Sequence, residues 1–231
     1  MHALDNVIWK ALTTRQAEFA ESLGEARRFI PDISPLGGFR EPTLEGYESL
    51  AGLLDTRGTV GLFLAMPYRE RAGWTLVAGA PMPEMVYEGA DDAPLRSYSD
   101  SNTEIVELSA ADSSDMMALT ALTKPGPFNK RTHELGTYLG MRCAGKLIAM
   151  AGERLKVPGY TEVSAICTHP QHTGHGYARI LTTEVTQRIL SRGETPFLHV
   201  RGDNRRAIEL YERLGFRQRE LLHFAVLRKN S

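Results

Sequence analysis

Two glycines, Gly174 and Gly176, stand where a strand gives way to a helix. The strand over 162–168 is short and rich in β-branched and small residues, and His169-Pro170 closes it because proline has no N–H for a ladder. Beyond the glycines, Ala178, Leu181, Val185 and Ile189 recur at helical spacing up to Gly193. The first N–H groups of a helix lack intrahelical partners and lie at the positive end of its dipole, and glycine lets an anion approach them. The chemistry predicted is capture of a phosphate or pyrophosphate. Two familiar phosphate loops do not fit. A Walker loop needs a lysine after its last glycine, where this chain has Tyr177. A dinucleotide fingerprint needs a third glycine where Arg179 stands, and an acid at the end of the next strand, where Val200 and Arg201 stand. His169, His172, His175 and Cys167 invite a metal, but they crowd one short stretch without the spacing of a four-ligand site, so no metal is expected.

A third pattern does fit. The strand ends I-C-T-H-P, the loop reads Q-H-T-G-H-G-Y-A, and a later segment carries Asn204, Ala207, Tyr211, Gly215 and Phe216 at spacings of three, four, four and one. In that order these segments resemble the GNAT superfamily of acyl-CoA-dependent N-acyltransferases, with a subgroup likeness to glycine N-acyltransferase. One departure stands out: counted from the proline, the loop's usual arginine or glutamine falls on Thr173, while Gln171 matches the bare pattern further upstream. Backbone N–H groups hold most of a pyrophosphate, so this departure is expected to alter affinity more than activity.

The resemblance implies a mixed, α+β fold: a mainly antiparallel sheet flanked by helices, opening between the strand that ends at Thr168 and the one that ends at Arg201. It implies acetyl-CoA as co-substrate and no metal. Pantetheine would pair with backbone at Ile166, Cys167 and Thr168, and Thr173, Gly174, His175, Gly176, Tyr177, Ala178 and Arg179 would cradle the pyrophosphate. Asn204 and Ala207 would face the cofactor, and Tyr211 would protonate the departing thiolate, a step that suits a phenol with a pKa near 10. The residues also admit plainer readings. Tyr211 shares a helical face with Ala207, Leu210 and Leu214, as a core tyrosine would. Asn204 suits a helix N-cap. Arg201, Arg205 and Arg206 are either solvated or in reach of the 3′-phosphate of CoA. Glu162 alternates with Ser164, Ile166 and Thr168 on one side of its strand; it is a surface carboxylate or the acceptor of the amine's proton, with His199 and water as rivals.

Composition narrows the class. The 231 residues are 42% apolar and 24% charged with a formal net charge of -1, so a sizeable core is available and the basic footprint of a nucleic-acid binder is missing. Charges are scattered through the first thirty residues and no apolar run nears the ~20 residues of a membrane span, so a soluble protein is expected. Two cysteines, Cys143 and Cys167, are too few for a disulfide framework and suit a reducing cytoplasm. The predicted partner is a small-molecule amine or amino acid, with neither nucleic acid nor membrane, and a homodimer is left open. The rival from another class is a catalytically silent domain that binds acyl-CoA or a partner.

Around the central stretch the chain divides in two. Residues 1–95 read as an α+β unit, for which a degenerate copy of the same fold is one reading. In it, helical spacing covers 3–24, with Thr13-Thr14 as a cap between two helices. A third helix begins at Thr43, and strands cover 59–65, 74–79 and 84–88. The small, polar residues 89–102 mark the boundary. From 103 to 231 the order is βαβββαβαββ, ending in strands over 216–220 and 222–228.

Overall fold

The computed structural model describes residues 2–89 and 104–230. The first segment contains α1 (Val7–Thr13), β1 (Ala20–Leu23), β2 (Ala26–Phe29), β3 (Gly37–Phe39), α2 (Leu44–Gly52), β4 (Thr59–Leu64) and β5 (Trp74–Tyr87). The second contains β6 (Glu104–Leu108), α3 (Ser113–Thr123), β7 (Tyr138–Cys143), β8 (Lys146–Val157), β9 (Tyr160–Thr168), α4 (Tyr177–Ser191), β10 (Thr195–His199), α5 (Arg205–Arg213) and β11 (Phe216–Lys229). Strands β1, β2 and β3 form a small antiparallel sheet; the other eight lie in the order β4-β11-β5-β10-β9-β8-β7-β6. All neighbours in the large sheet are antiparallel except β9 and β10. This is the expected mixed fold with a mainly antiparallel sheet.

The sheet runs through both segments. Strand β5 inserts between β10 and β11, and β4 pairs with β11. The expected linker, 89–102, lies outside the described residues apart from Gly89. The two segments repeat one order of elements: β1-β2-β3-α2-β4 matches β7-β8-β9-α4-β10. Each is a meander, a helix, and a strand running parallel to the third, through the Leu36–Gly61 bridge in the first and the β9–β10 ladder in the second. The last strand of each segment then pairs with the other: β5 with β10, and β11 with β4.

Several elements depart from the sequence expectations. Residues 15–24 are not a second helix, because the hydroxyls of Thr13 and Thr14 bond back to the carbonyls of Trp9 and Lys10 and close α1 instead of capping a new one. A hairpin comes next, turning at Gly24 with φ 46°. Strand β3 has no counterpart among the expected elements, since two of its three residues are glycines. The two strands expected over 74–79 and 84–88 are one, despite Pro81 and Pro83. At those positions β5 needs only acceptors, since their carbonyls take the N–H groups of Gly202 and Val200 at 2.9 and 3.0 Å. The last two expected strands are also one, β11, with a bulge between Gln218 and Glu220 that leaves Arg219 out of the ladder.

One face of the sheet buries α4, whose Ile180, Leu181, Val185 and Ile189 pack on Leu139, Met141, Ile148 and Val163. The opposite face receives α1, where Val7, Ile8 and Leu12 join Leu155, Val157 and Phe197. Gln16 extends this tie through hydrogen bonds to the backbone of Arg154 and Lys156 at 2.7 and 3.1 Å. The first segment therefore shares a core with the strands that carry the site.

Candidate active site

The site is a fork in the sheet. The parallel ladder between β9 and β10 ends at the pair Glu162–Phe197. Past it, β10 is held only by β5, and β9 bulges at Ala165, whose φ of 53° lies in the left-handed region. Such a bulge bends a strand and re-aims the residues beyond it, here Ile166, Cys167 and Thr168. The chain then turns through Pro170–His172, where the Thr173 hydroxyl donates to the Pro170 carbonyl at 3.1 Å. It enters α4 through Gly174 and Gly176, at φ 89° and 79°. A Cβ added at either glycine would meet nothing within 4 Å, so the requirement is a backbone that only glycine adopts readily, facing open space. Gly176 gives α4 no side-chain cap, and the first-turn amides stay unspent.

Across the fork stands α5, capped by Asn204, whose Oδ1 accepts from the Ala207 N–H at 3.2 Å. Between α4 and α5 lies a groove of about 460 Å³, and between β9 and the loop after α3 a second of about 410 Å³. Both are lined by Ile166, Cys167, Thr168, Asn204 and Tyr211, so the two meet at the end of β9. At that junction the Thr168 Oγ1 is buried without a hydrogen-bond partner among the described residues. Tyr211 is buried, and burial pushes its phenol well above the usual value. Burial likewise raises the Cys167 thiol to about 11, which keeps it protonated and inert.

Behind the second groove runs a chain of buried charges. Arg154 donates from Nε and Nη2 to Glu162 at 2.8 and 2.6 Å, and Leu155 N–H adds a third bond at 3.2 Å. His199 Nδ1 reaches the same carboxylate at 2.7 Å. Its Nε2 lies 3.4 Å from Glu84 Oε2, an ion-pair separation without hydrogen-bond geometry. Glu84 is held in turn by Arg219, the residue that the β11 bulge frees, and Arg219 also binds Asp5 at 2.9 Å. Phe63 of β4 stacks on the His199 ring, centroids 4.2 Å apart. Burial alone would raise the Glu162 carboxyl, but Arg154 and then His199 override it and hold it at about 2. Burial disfavours the His199 cation, yet its two carboxylate neighbours raise its pKa above the ordinary imidazole value.

Comparison with known proteins places this geometry. Residues 138–224 match the family model described as FR47-like protein. A crystal structure from Novosphingobium aromaticivorans, assigned to the GNAT family of acetyltransferases, superposes with a TM-score of 0.90 at 34% identity, covering 100% of both chains. The chain belongs to the GNAT family of acetyltransferases. A GCN5-related N-acetyltransferase from Kribbella flavida shares the fold, at TM-score 0.61 and 16% identity over 98% of this chain and 96% of that one. The N-alpha-acetyltransferase RimI of Mycobacterium tuberculosis is 36% identical over 101 residues, which is 41% of this chain and 61% of that protein's length.

The GNAT signature residues fall together. Of those anticipated for the cofactor, Ile166, Cys167, Thr168, Thr173, Gly174, Gly176, Tyr177, Ala178, Arg179, Asn204 and Ala207 line the first groove; His175 does not, and stacks on Tyr177 instead. Tyr211 lines both grooves. Glu162 lines neither, because it is fully buried beneath Arg154 and His199. Among the expected arginines, Arg206 lines the first groove, whereas Arg201 lines the second and pairs with Asp203 at 2.7 Å. Sequence reasoning missed Phe63, Met82 and Phe224, which come from strands outside the motif, and it missed Glu84 and Arg154. Arg154 carried a readable signal: with Glu153 it sits inside β8, a strand otherwise buried and mostly apolar.

Proposed function

We propose that the protein transfers an acetyl group from acetyl-CoA to a primary amine by direct attack in a ternary complex. One observation carries the reading: a glycine-opened helix start and a separate cavity share a wall at Thr168 and Tyr211. Several features of the fork suit acyl-CoA. The first-turn amides of α4 are uncapped, the space over Gly174 and Gly176 is open, and Arg179 and Arg206 stand by for phosphate. The orphaned Thr168 hydroxyl and the unpaired edge of β9 offer hydrogen bonds to an amide-bearing arm.

An amine in the second cavity attacks the thioester carbonyl at that junction, forming C–N as C–S breaks. A backbone N–H near Thr168 supports the charge developing on oxygen. Tyr211, which burial keeps neutral at pH 7, gives its proton to the departing sulfur and recovers one from solvent. The amine's proton leaves to water. A carboxylate held near 2 is a poor acceptor, so we assign Glu162 to fixing Arg154 and His199. Release of free thiol from acetyl-CoA, dependent on added amine, tests the reading. Binding of acetyl-CoA with no amine-dependent thiol release across a broad amine panel would contradict it.

A further inference from the structure

A cavity of about 510 Å³ lies away from α4 and α5, within the usual ~300–1,000 Å³ of ligand pockets. Strands β3 and β4 meet at the Leu36–Gly61 bridge, and the cavity is lined by Phe39 after the one and Phe63 near the end of the other. Tyr47 of α2 and the loop 65–71 complete the wall; that loop follows β4 where α5 follows β10. The lining is rich in rings, with Phe39 and Tyr47 only 4.8 Å apart between centroids. Four arginines and two carboxylates add charge. Arg219 is spent on Glu84 and Asp5, and Arg40 pairs with Glu25 at 3.0 Å. Arg69 and Arg71 have no carboxylate partner among the described residues, and Glu70 between them does not line the cavity. Arg71 lies 4.4 Å over the Tyr47 ring and donates to the Pro42 carbonyl at 3.0 Å, contacts that fix the guanidinium without neutralising it. Glu220 is exposed and is the one lining carboxylate without an ion pair among the described residues. A planar anionic group matches the guanidinium fork, and the rings suit a flat apolar body attached to it.

We propose that this cavity binds a small aromatic anion, a carboxylate or phosphate carried on a flat apolar body. Arg69 and Arg71 take the anionic group, and the body packs on Tyr47 and Phe63. The site is separate from the groove between α4 and α5, with which it shares no lining residue. It is not isolated from the cavity that receives the amine. Phe63 lines both and stacks on His199, so an occupant on one side of that ring is felt on the other.

Calorimetry on the whole protein tests this with phenylacetate against phenylacetamide, indole-3-acetate against indole-3-acetamide, and phenyl phosphate against phenol. At least one anion should bind once per chain and at least tenfold more tightly than its neutral partner, with the same affinity when acetyl-CoA is saturating. Arg69→Gln combined with Arg71→Gln should weaken it at least tenfold. Arg69→Gln alone, an exposed change that leaves the Arg71–Tyr47 contact in place, should weaken it about threefold. Carboxylate and phosphate are told apart by which binds more tightly. Neutral partners that bind as tightly, displacement of the anion by acetyl-CoA, or an affinity that survives both arginine variants overturns the proposal, as does failure of all three anions to bind at millimolar concentration. A bound anion should also change the KM of an acetylated amine at least twofold; an unchanged KM overturns the link through Phe63. That arm alone rests on the acetyltransfer reading, so the absence of any acetylated amine contradicts that reading and leaves the binding result to decide the site.

Discussion

The protein contains two forks built in the same order, and they differ at the helix start. In the second segment, β9 and β10 part around an α4 that begins at Gly176 with no side-chain cap. In the first, β3 and β4 flank an α2 whose Thr43 hydroxyl accepts from the Gly46 N–H at 3.2 Å. One fork thus leaves its helix start without a side-chain cap among the described residues, and the other spends an amide on its own chain. Their floors differ as well. Glu162, Arg154 and His199 lie under the second fork, while Leu36, Val60 and Leu62 are buried beneath the first. Repeating a topology does not repeat a site; the cap, the glycines and the buried charges decide.

The largest effect that sharpens this contrast should come from the charged floor. Arg154→Met leaves Glu162 without its main counter-charge in a dry interior. Breaking such a pair costs about 3–5 kcal/mol, measurable by denaturant unfolding. A volume-conserving swap under the first fork, Leu62→Met, should stay below about 1.5 kcal/mol. Acidity reports on the same group. Glu162, with its folded pKa lowered to about 2, contributes stability that is present above its ordinary 4.5 and lost as pH falls toward 2. His199, with its pKa raised, contributes stability that is complete below its ordinary 6.5 and lost as pH climbs through the raised value. The two contributions coincide between 4.5 and 6.5, and in Arg154→Met the acid limb should move to higher pH.

Next in size is Tyr211→Phe. It keeps the ring that packs near Phe216, so acetyl-CoA affinity should hold, and turnover should drop about 10²-fold, the lower end for lost general-acid help. A folded variant with unchanged turnover, where chemistry limits the rate, returns the acid role to water. Smaller again is Gly176→Asp. It places a side chain at φ 79° and a negative charge among the amides, so acetyl-CoA affinity should fall at least tenfold, about 1.4 kcal/mol. The smallest effect belongs to the first fork. Thr43→Ala removes a cap worth about 1 kcal/mol of stability and should leave acetyl-CoA binding untouched.

The motif-bearing fork was legible because its information is local. Gly174, Gly176, Asn204, Ala207 and Tyr211 sit in one stretch, and their spacing reflects a strand, a helix start and a helix face. The illegible part depends on distant pairing. Nothing near Trp74 says that its strand will run through two prolines and insert beside β10, since the donors that the Pro81 and Pro83 carbonyls need, Gly202 and Val200, lie far along the chain. Arg219 looks like any surface arginine until the bulge in β11 turns it toward Glu84. Glu162 does not keep the expected alternation with Ile166 and Thr168, because the bulge at Ala165 intervenes, and its partners, Arg154 and His199, come from two other strands, so its burial is not legible from alternation.

The most direct measurement is a calorimetric titration of the whole protein with acetyl-CoA, repeated on Gly176→Asp and Thr43→Ala. One molecule should bind per chain, at least tenfold more weakly in Gly176→Asp and with wild-type affinity in Thr43→Ala. Two molecules per chain, or a folded Gly176→Asp protein that binds as tightly as wild type, would contradict the claim that only the glycine-opened fork receives acyl-CoA.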